Sequence, residues 1–260
     1  MPPRRDTGLD QRNLHESKVS YLPPNVIFQV RRLGGLAMLR LVYFPSPGRA
    51  EAIRLALSFS GVEWEDNTID GKRLLEMKES GELPWGMVPV LQTSEGTIAE
   101  SSAILRYVGR LAGLVPDDPY QAAKVDEFID AMESLSKALD NTFGITDMED
   151  RTRLRREAFS PGGRGAKSLD ALEAKIASSP TGWAAGTQEM SIADLKLFSG
   201  LFGLFSGNYD GLDASIISRY PSLLRYHDKV SSEQRVLDHY SDTSRDDIRW
   251  TFLPGAFKGE

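Results

Sequence analysis

A cluster of breakers at Leu114-Val115-Pro116-Asp117-Asp118-Pro119 sets the plan of this chain. Proline has no backbone N–H to give a ladder, and it steers the residue before it away from helix. Two prolines with two acids between them therefore end any regular element. Before the cluster, short apolar runs alternate with helical patterns. After it, the apolar patterns repeat at the helical period. Such a chain is expected to fold as a small mixed sheet with helices, followed by helices alone.

The first part reads as β-α-β-α-β-β-α. Met38 to Phe44 predicts a strand that ends at Pro45. Gly48 to Gly61 predicts a helix with Ala50, Ile53, Leu57 and Phe59 mostly on one side. Val62 to Ile69 predicts a second strand, and Asp70 to Ser80 a shorter helix or an irregular segment. Val88 to Thr93, the turn Ser94-Glu95-Gly96 and Thr97 to Ala99 form a hairpin. Ser101 or Ser102 is expected to cap a helix running to about Leu111. The first three strands need a crossover helix, and the last pair needs only a tight turn.

Beyond the linker, Val125, Phe128, Ile129, Met132, Leu135 and Leu139 predict one long amphipathic helix. Arg151 to Phe159 is basic, Ser160 to Gly165 breaks the pattern, and a helix resumes near Ala166. Ser191-Ile192-Ala193-Asp194 has the form of a capping box. The run Leu195 to Phe205 is apolar nearly all round, as a central buried helix requires. Ile216 to Val230 and Ser232 to Tyr240 complete the helices, with Pro221 opening one. The expected division is a disordered extension over 1–37, a first domain over 38–112, a linker over 113–119, a helical domain over 120–240 and a tail over 241–260.

Composition narrows the chemistry. The net charge of −6 argues against a broadly basic nucleic-acid surface. The absence of cysteine removes disulfides, thiolate metal sites and a nucleophilic thiol. The three histidines, His15, His227 and His239, have no spacing that supports a zinc site, so no metal is expected. No apolar run is long enough to span a bilayer. Within residues 1–37 arginines outnumber acids, which suits a weak targeting segment. Asp6, Asp10 and Glu16 argue against an organelle transit peptide. A cytoplasmic location is expected, with organelle targeting as the alternative. If the protein uses a thiol, that thiol arrives on a substrate.

The stretch Leu41 to Glu51 places a tyrosine at the end of a buried strand, before a Pro/Ser/Gly turn and a helix start. A phenol held there can donate a hydrogen bond to an anion. Tyr43-Phe44 with Gly48-Arg49-Ala50-Glu51 resembles the first-strand signature of tyrosine-type cytosolic glutathione transferases, particularly the sigma-like class. Gly86-Met87-Val88-Pro89-Val90-Leu91 resembles that family's glutathione-facing loop and third strand. Glu100 to Tyr107 resembles its γ-glutamyl-binding helix start, and Ser191 to Asp194 its capping box. The four features occur in the family's order over roughly residues 39–236. The resemblance implies a thioredoxin-like βαβαββα domain, an all-helical C-terminal domain, glutathione as co-substrate and a homodimer.

It also implies roles. Tyr43 would stabilise the glutathione thiolate. A free thiol has a pKa near about 8.5, and lowering it by about two units corresponds to roughly 2.7 kcal/mol. The structural alternative is a strand-end tyrosine packed on the core. Ser46 is the runner-up catalytic group, or else a plain turn residue. Arg49 would organise the site, or else stand as a solvated helix charge. Met87 belongs to the glutathione-facing loop. Val88 would offer its backbone to the tripeptide like an added strand, beside a cis Pro89. Ser101 would hold the substrate α-carboxylate and Glu100 its α-ammonium, although both also fit ordinary helix-start roles. Glu100 departs from the Gln common in sigma-like members. Lys78 fits the glycyl carboxylate, whereas Leu74 stands where the family carries an indole. The aspartate that would cross a dimer interface has no exact match. Asp126 and Asp130 precede its place, which Glu133 and Ser134 fill. Phe44, Tyr107, Phe143 and the segment Leu201 to Phe205 are candidate lining of the electrophile pocket.

The expected function is conjugation of glutathione to small apolar electrophiles, a detoxification reaction. Alternatives are a glutathione-dependent isomerase or peroxidase, and a non-catalytic binding or structural protein with the same fold.

Overall fold

Four strands form a single mixed sheet in the order β2-β1-β3-β4. The structure is a computed structural model and describes residues 38–258. The disordered extension expected over 1–37 lies outside the described residues. β1 (Leu39–Tyr43) buries every side chain except Arg40, which pairs with Glu65 at 2.9 Å. It runs parallel to β2 (Trp64–Thr68), with Tyr43 opposite Thr68. A parallel pair needs a crossover, and α1 (Glu51–Ser60) supplies it after a 3-10 turn at Gly48–Ala50. Gly61 closes α1 at φ 68°.

α2 (Gly71–Glu79) is a regular helix, because the Asp70 carboxylate accepts from the Arg73 amide at 2.8 Å. β3 (Val90–Thr93) is antiparallel to β1 and pairs with β4 (Gly96–Ala99). It starts two residues later than expected, after Pro89, whose nitrogen has no hydrogen for the ladder. α3 (Ser101–Leu111) corrects another expectation. Neither serine caps it; the cap position is Glu100, and no side chain accepts there.

On the helical side, Asp118 caps α4 (Pro119–Ala131), with Pro119 in its first turn. The long helix expected through Leu139 is interrupted at Met132 and continues as the short α5 (Glu133–Ser136). The Ser134 hydroxyl donates to the Ala131 carbonyl at 2.9 Å, a local bond that competes with the helical ladder. Met132, Leu135 and Leu139 are nevertheless all buried, which is why the apolar period concealed the break.

α6 (Met148–Phe159) and α7 (Arg164–Ala177) precede α8 (Ile192–Phe202), the buried centre of this part. Its capping box is formed: the Ser191 amide donates to Asp194 at 2.8 Å. Asp194 also accepts from the Ala184 amide at 2.7 Å and the Tyr226 hydroxyl at 2.9 Å. Burial pushes the Asp194 carboxyl above its usual range despite these donors. α9 (Ala214–Ile217), α10 (Pro221–Ser231) and α11 (Gln234–His239) follow.

One hydrophobic core joins the two parts, from Leu41, Ile53 and Ile104 to Phe198 and Phe252. A smaller cluster of Val42, Ile69, Met77, Leu83 and Val90 covers the other sheet face. Where α3 meets α8, a Cβ on Gly109 would lie 2.4 Å from Ile192 Cγ2. The Ile192 amide donates to the linker carbonyl of Leu114 at 3.0 Å. The segment after Tyr240, set apart above as a tail, returns to this core through Phe252, which is fully buried. Among the described residues no helix is long and apolar enough to cross a membrane. No group of three metal-ligating side chains occurs among them either.

Candidate functional site

Pro45 and Pro47 end β1 and force the chain into a turn before α1. That turn is built around Tyr43. The Arg49 amide donates to the Tyr43 phenolic oxygen at 3.2 Å. Gly48, at φ 44°, passes so close that a Cβ there would sit 2.6 Å from the same oxygen. Glycine is thus required both for the backbone angle and for the space.

The side chain that holds the turn is Arg54. Its guanidinium donates to the carbonyls of Phe44 at 2.8 Å, Ser46 at 2.9 Å and Pro47 at 3.4 Å. It also pairs with Glu51 at 3.1 Å and Asp66 at 2.8 Å, and lies 5.8 Å from the Tyr43 ring centroid. A buried guanidinium is tolerable only with its donors used, and this one uses them on the turn.

A cavity of about 360 Å³ opens over the Tyr43 hydroxyl, between the sheet domain and the helices. Tyr43, Ser46 and Arg49 line one side; Phe143, Lys196 and Tyr209 are among the residues lining the other. The structure therefore brings together Tyr43, Ser46, Arg49 and Phe143, all singled out from sequence. Phe44 is not on the wall; it packs edge-to-face behind Tyr43 at 5.4 Å. Tyr107 is also off the wall, on α3, where burial and the charge of Glu95 raise its phenol pKa. Of Leu201 to Phe205 only Gly203 and Leu204 reach the cavity, the other three being core. Ser136, Asp140, Ser199 and Asn208 make the lining more polar than the sequence suggested.

The acids in question are already paired within the chain. Asp126 and Asp130 each meet Arg106 at 2.7 Å. Glu133 meets Lys196 at 3.1 Å and Arg49 at 3.5 Å. Burial pushes the Glu133 carboxyl up, but Lys196 and then Arg49 outweigh it and hold the pKa below the usual value. Arg49 thus contributes its amide to the phenol and its side chain to a salt bridge.

The remaining candidates lie around the β3 and α3 starts. The Val88–Pro89 peptide is cis. Neither the amide nor the carbonyl of Val88 has a hydrogen-bond partner among the described residues. Met87 is exposed, as is Lys78, which makes no ion pair among the described residues. Glu100 has φ 69°, the one positive φ at a non-glycine among the described residues. Such a backbone costs of order 1–3 kcal/mol and collects at ligand sites. Ser101 follows it, buried, in the uncapped first turn of α3, where free amides favour an anion.

Glu51 (named only within the first-strand signature), Arg54, Lys196 and Tyr209 were given no role from sequence. Charged residues inside the apolar helices α1 and α8 were an available signal for the first three. Tyr209 sits in a loop, and nothing in its neighbourhood distinguishes it. Burial, then the nearby Tyr43 phenol, raises the Tyr209 pKa.

Two family descriptions match the chain: the glutathione S-transferase N-terminal domain over residues 38–110 and the C-terminal domain over 145–242. It is 36% identical over 95 residues to "Glutathione S-transferase P" of Bos taurus, covering 36% of this chain and 45% of that protein. The chain thus spans under half the length of that relative. It is 27% identical to "Glutathione S-transferase 1" of Ascaris suum over 194 residues, 74% of this chain and 89% of the other. Among solved structures, prostaglandin synthase D of Nilaparvata lugens superposes with a TM-score of 0.68 at 24% identity, over 80% of this chain and 98% of that one. At that identity the likeness shows the fold: a thioredoxin-like domain followed by helices.

Proposed function

Since the chain belongs to the glutathione S-transferase family, we propose that it joins the sulfur of glutathione to a small electrophile, with Tyr43 as the thiolate-stabilising group. The observation that carries this reading is the Tyr43 hydroxyl at the cavity. Its oxygen accepts from the Arg49 amide, so its proton is left for a ligand. A hydrogen bond to the sulfur anion favours that form and lowers the thiol pKa, and the amide behind the phenol polarises the donor further. The thiol proton passes to solvent. The thiolate then attacks the electrophilic carbon, forming a C–S bond as a leaving group departs or a π bond opens.

Glutathione would lie along the unpaired backbone of Val88, next to Met87 and Pro89. Its α-carboxylate would rest at Ser101 and the first amides of α3, with its ammonium beside Glu100 and its glycyl end toward Lys78. The electrophile would enter beside Phe143 and Tyr209. The polar lining supports an electrophile that carries hydrogen-bonding groups. Exposed Leu75, Trp85 and Met87 support a homodimer, and a cytoplasmic, sigma-like, tyrosine-type enzyme of detoxification completes the proposal.

The test is an ultraviolet titration of bound glutathione, with a chloro-dinitrobenzene turnover assay. A thiolate band that persists well below the pH at which free glutathione ionises is expected. No ionisation beyond that of the free peptide would refute the mechanism. A second reading, binding without turnover, is favoured by Leu74, which packs on the smaller core cluster and offers no donor. Retention on glutathione resin without turnover would select it.

A further inference from the structure

Arg54 holds three of the four carbonyls of the turn Phe44 to Pro47. The fourth, that of Pro45, accepts from Arg249 Nη2 at 2.9 Å, across 204 positions of chain. Arg249 Nε lies 3.1 Å from Glu51 Oε1, so one fully buried carboxylate joins the two guanidiniums. The Tyr240 hydroxyl donates to the same oxygen at 2.9 Å. With two prolines the turn has few amides to close itself, and these side chains supply the missing donors.

The residues beside Arg249 hold the opposite wall of the cavity. Trp250 Nε1 donates to the Ser206 carbonyl at 2.9 Å, and Asn208 Nδ2 donates to the Ile248 carbonyl at 3.5 Å. Asn208 and Tyr209 face the cavity that Tyr43 lines from the other side. Buried Phe252 anchors the segment, and a 2.7 Å hydrogen bond joins the Thr251 carbonyl to His227 Nε2.

We infer that Arg249 is a positioning residue. Together with Trp250 it clamps the turn bearing Ser46 and Arg49 to the loop bearing Asn208 and Tyr209, and so fixes where the Tyr43 phenol meets a bound thiol. Its catalytic consequence rests on the transferase reading; the clamp itself does not. Arg249 is not among the cavity residues, and its influence passes through Pro45 and Glu51. A lysine at this position keeps a charge for Glu51 but loses the planar fork that reaches both partners.

The test compares the full chain with Arg249→Ala, Arg249→Lys and Trp250→Phe. Amide hydrogen exchange should rise about tenfold over residues 44–51 in Arg249→Ala, and partly less in Arg249→Lys. In Trp250→Phe it should rise over residues 206–209. Turnover at saturating glutathione should fall about tenfold in Arg249→Ala, with the KM for glutathione changed less than about twofold and the bound-thiol pKa raised. A folded Arg249→Ala with unchanged exchange over 44–51, or with unchanged turnover and thiol ionisation, overturns the inference. If neither Arg249 variant folds, unchanged exchange over 206–209 in Trp250→Phe does so. A wild-type protein that fails to ionise glutathione refutes the transferase reading, while the exchange measurement still decides the clamp.

Discussion

The backbone amide of Arg49 donates to the phenolic oxygen of Tyr43 at 3.2 Å, across the turn that separates β1 from α1. The phenol therefore enters the cavity as a donor whose acceptor side is already engaged. Tyr43→Phe removes the donor and, with it, the acceptor of the Arg49 amide. Turnover is expected to fall about tenfold to a hundredfold, and the bound-thiol pKa to rise by about two units, read from ultraviolet titration. Ser46→Ala should change both far less. Full turnover in Tyr43→Phe would transfer the role to Ser46.

Gly48→Ala tests the packing beneath that phenol. The new methyl cannot fit 2.6 Å from the Tyr43 oxygen, and φ 44° is unfavourable for alanine. A loss of about 1–3 kcal/mol in urea unfolding is expected, with a turnover loss larger than the stability change explains. Alanine without effect on turnover would mean the turn is loose.

Arg54→Met leaves the buried Glu51 to Arg249 and the Tyr240 hydroxyl, and frees the Phe44 and Ser46 carbonyls. Breaking a buried pair by removing one partner costs about 3–5 kcal/mol. Chemical unfolding should show that loss, and Arg54→Lys should recover only part of it, since an ammonium cannot serve the Phe44 and Ser46 carbonyls with Asp66.

Glu100→Gly should separate stability from binding. Glycine relieves the φ 69° backbone, raising stability by about 1 kcal/mol. The same change removes the carboxylate proposed for the substrate ammonium, so the glutathione KM should increase. A KM left unchanged would detach Glu100 from the site.

His227 sets an acid-side trend. Burial pushes its pKa below 6.5, against the Thr251 carbonyl and Asp228, with Lys258 adding to the depression. A depressed histidine contributes stability that is complete above the unfolded value and is lost as pH falls through the folded value. His239 is depressed too, chiefly by burial. Melting temperature should therefore drop as pH is lowered from about 7, and His227→Gln should flatten the slope. An unaltered slope would remove His227 from the trend.

The order of elements along the chain, the crossover helix and the capping box were legible because short-range patterns specify them. The turn of Tyr43 was legible for the same reason. What escaped was fixed at a distance. Nothing around Pro45 indicates that its carbonyl waits for Arg249, and no local pattern tells Tyr107 to face Glu95 rather than the cavity. The break at Met132 was concealed because both sides of it keep the same apolar period. Glu51 and Arg54 were readable in principle, since two charges three residues apart in an apolar helix must satisfy each other or the backbone nearby.

Gly109 and Ile192 carry a lesson for recombination. The isoleucine methyl occupies the volume a side chain on α3 would need, so the two domains are matched like a tenon to its mortise. A chimera that exchanges helical domains at residues 113–119 inherits this joint, and donors with a bulkier residue at either position would arrive with the halves wedged apart.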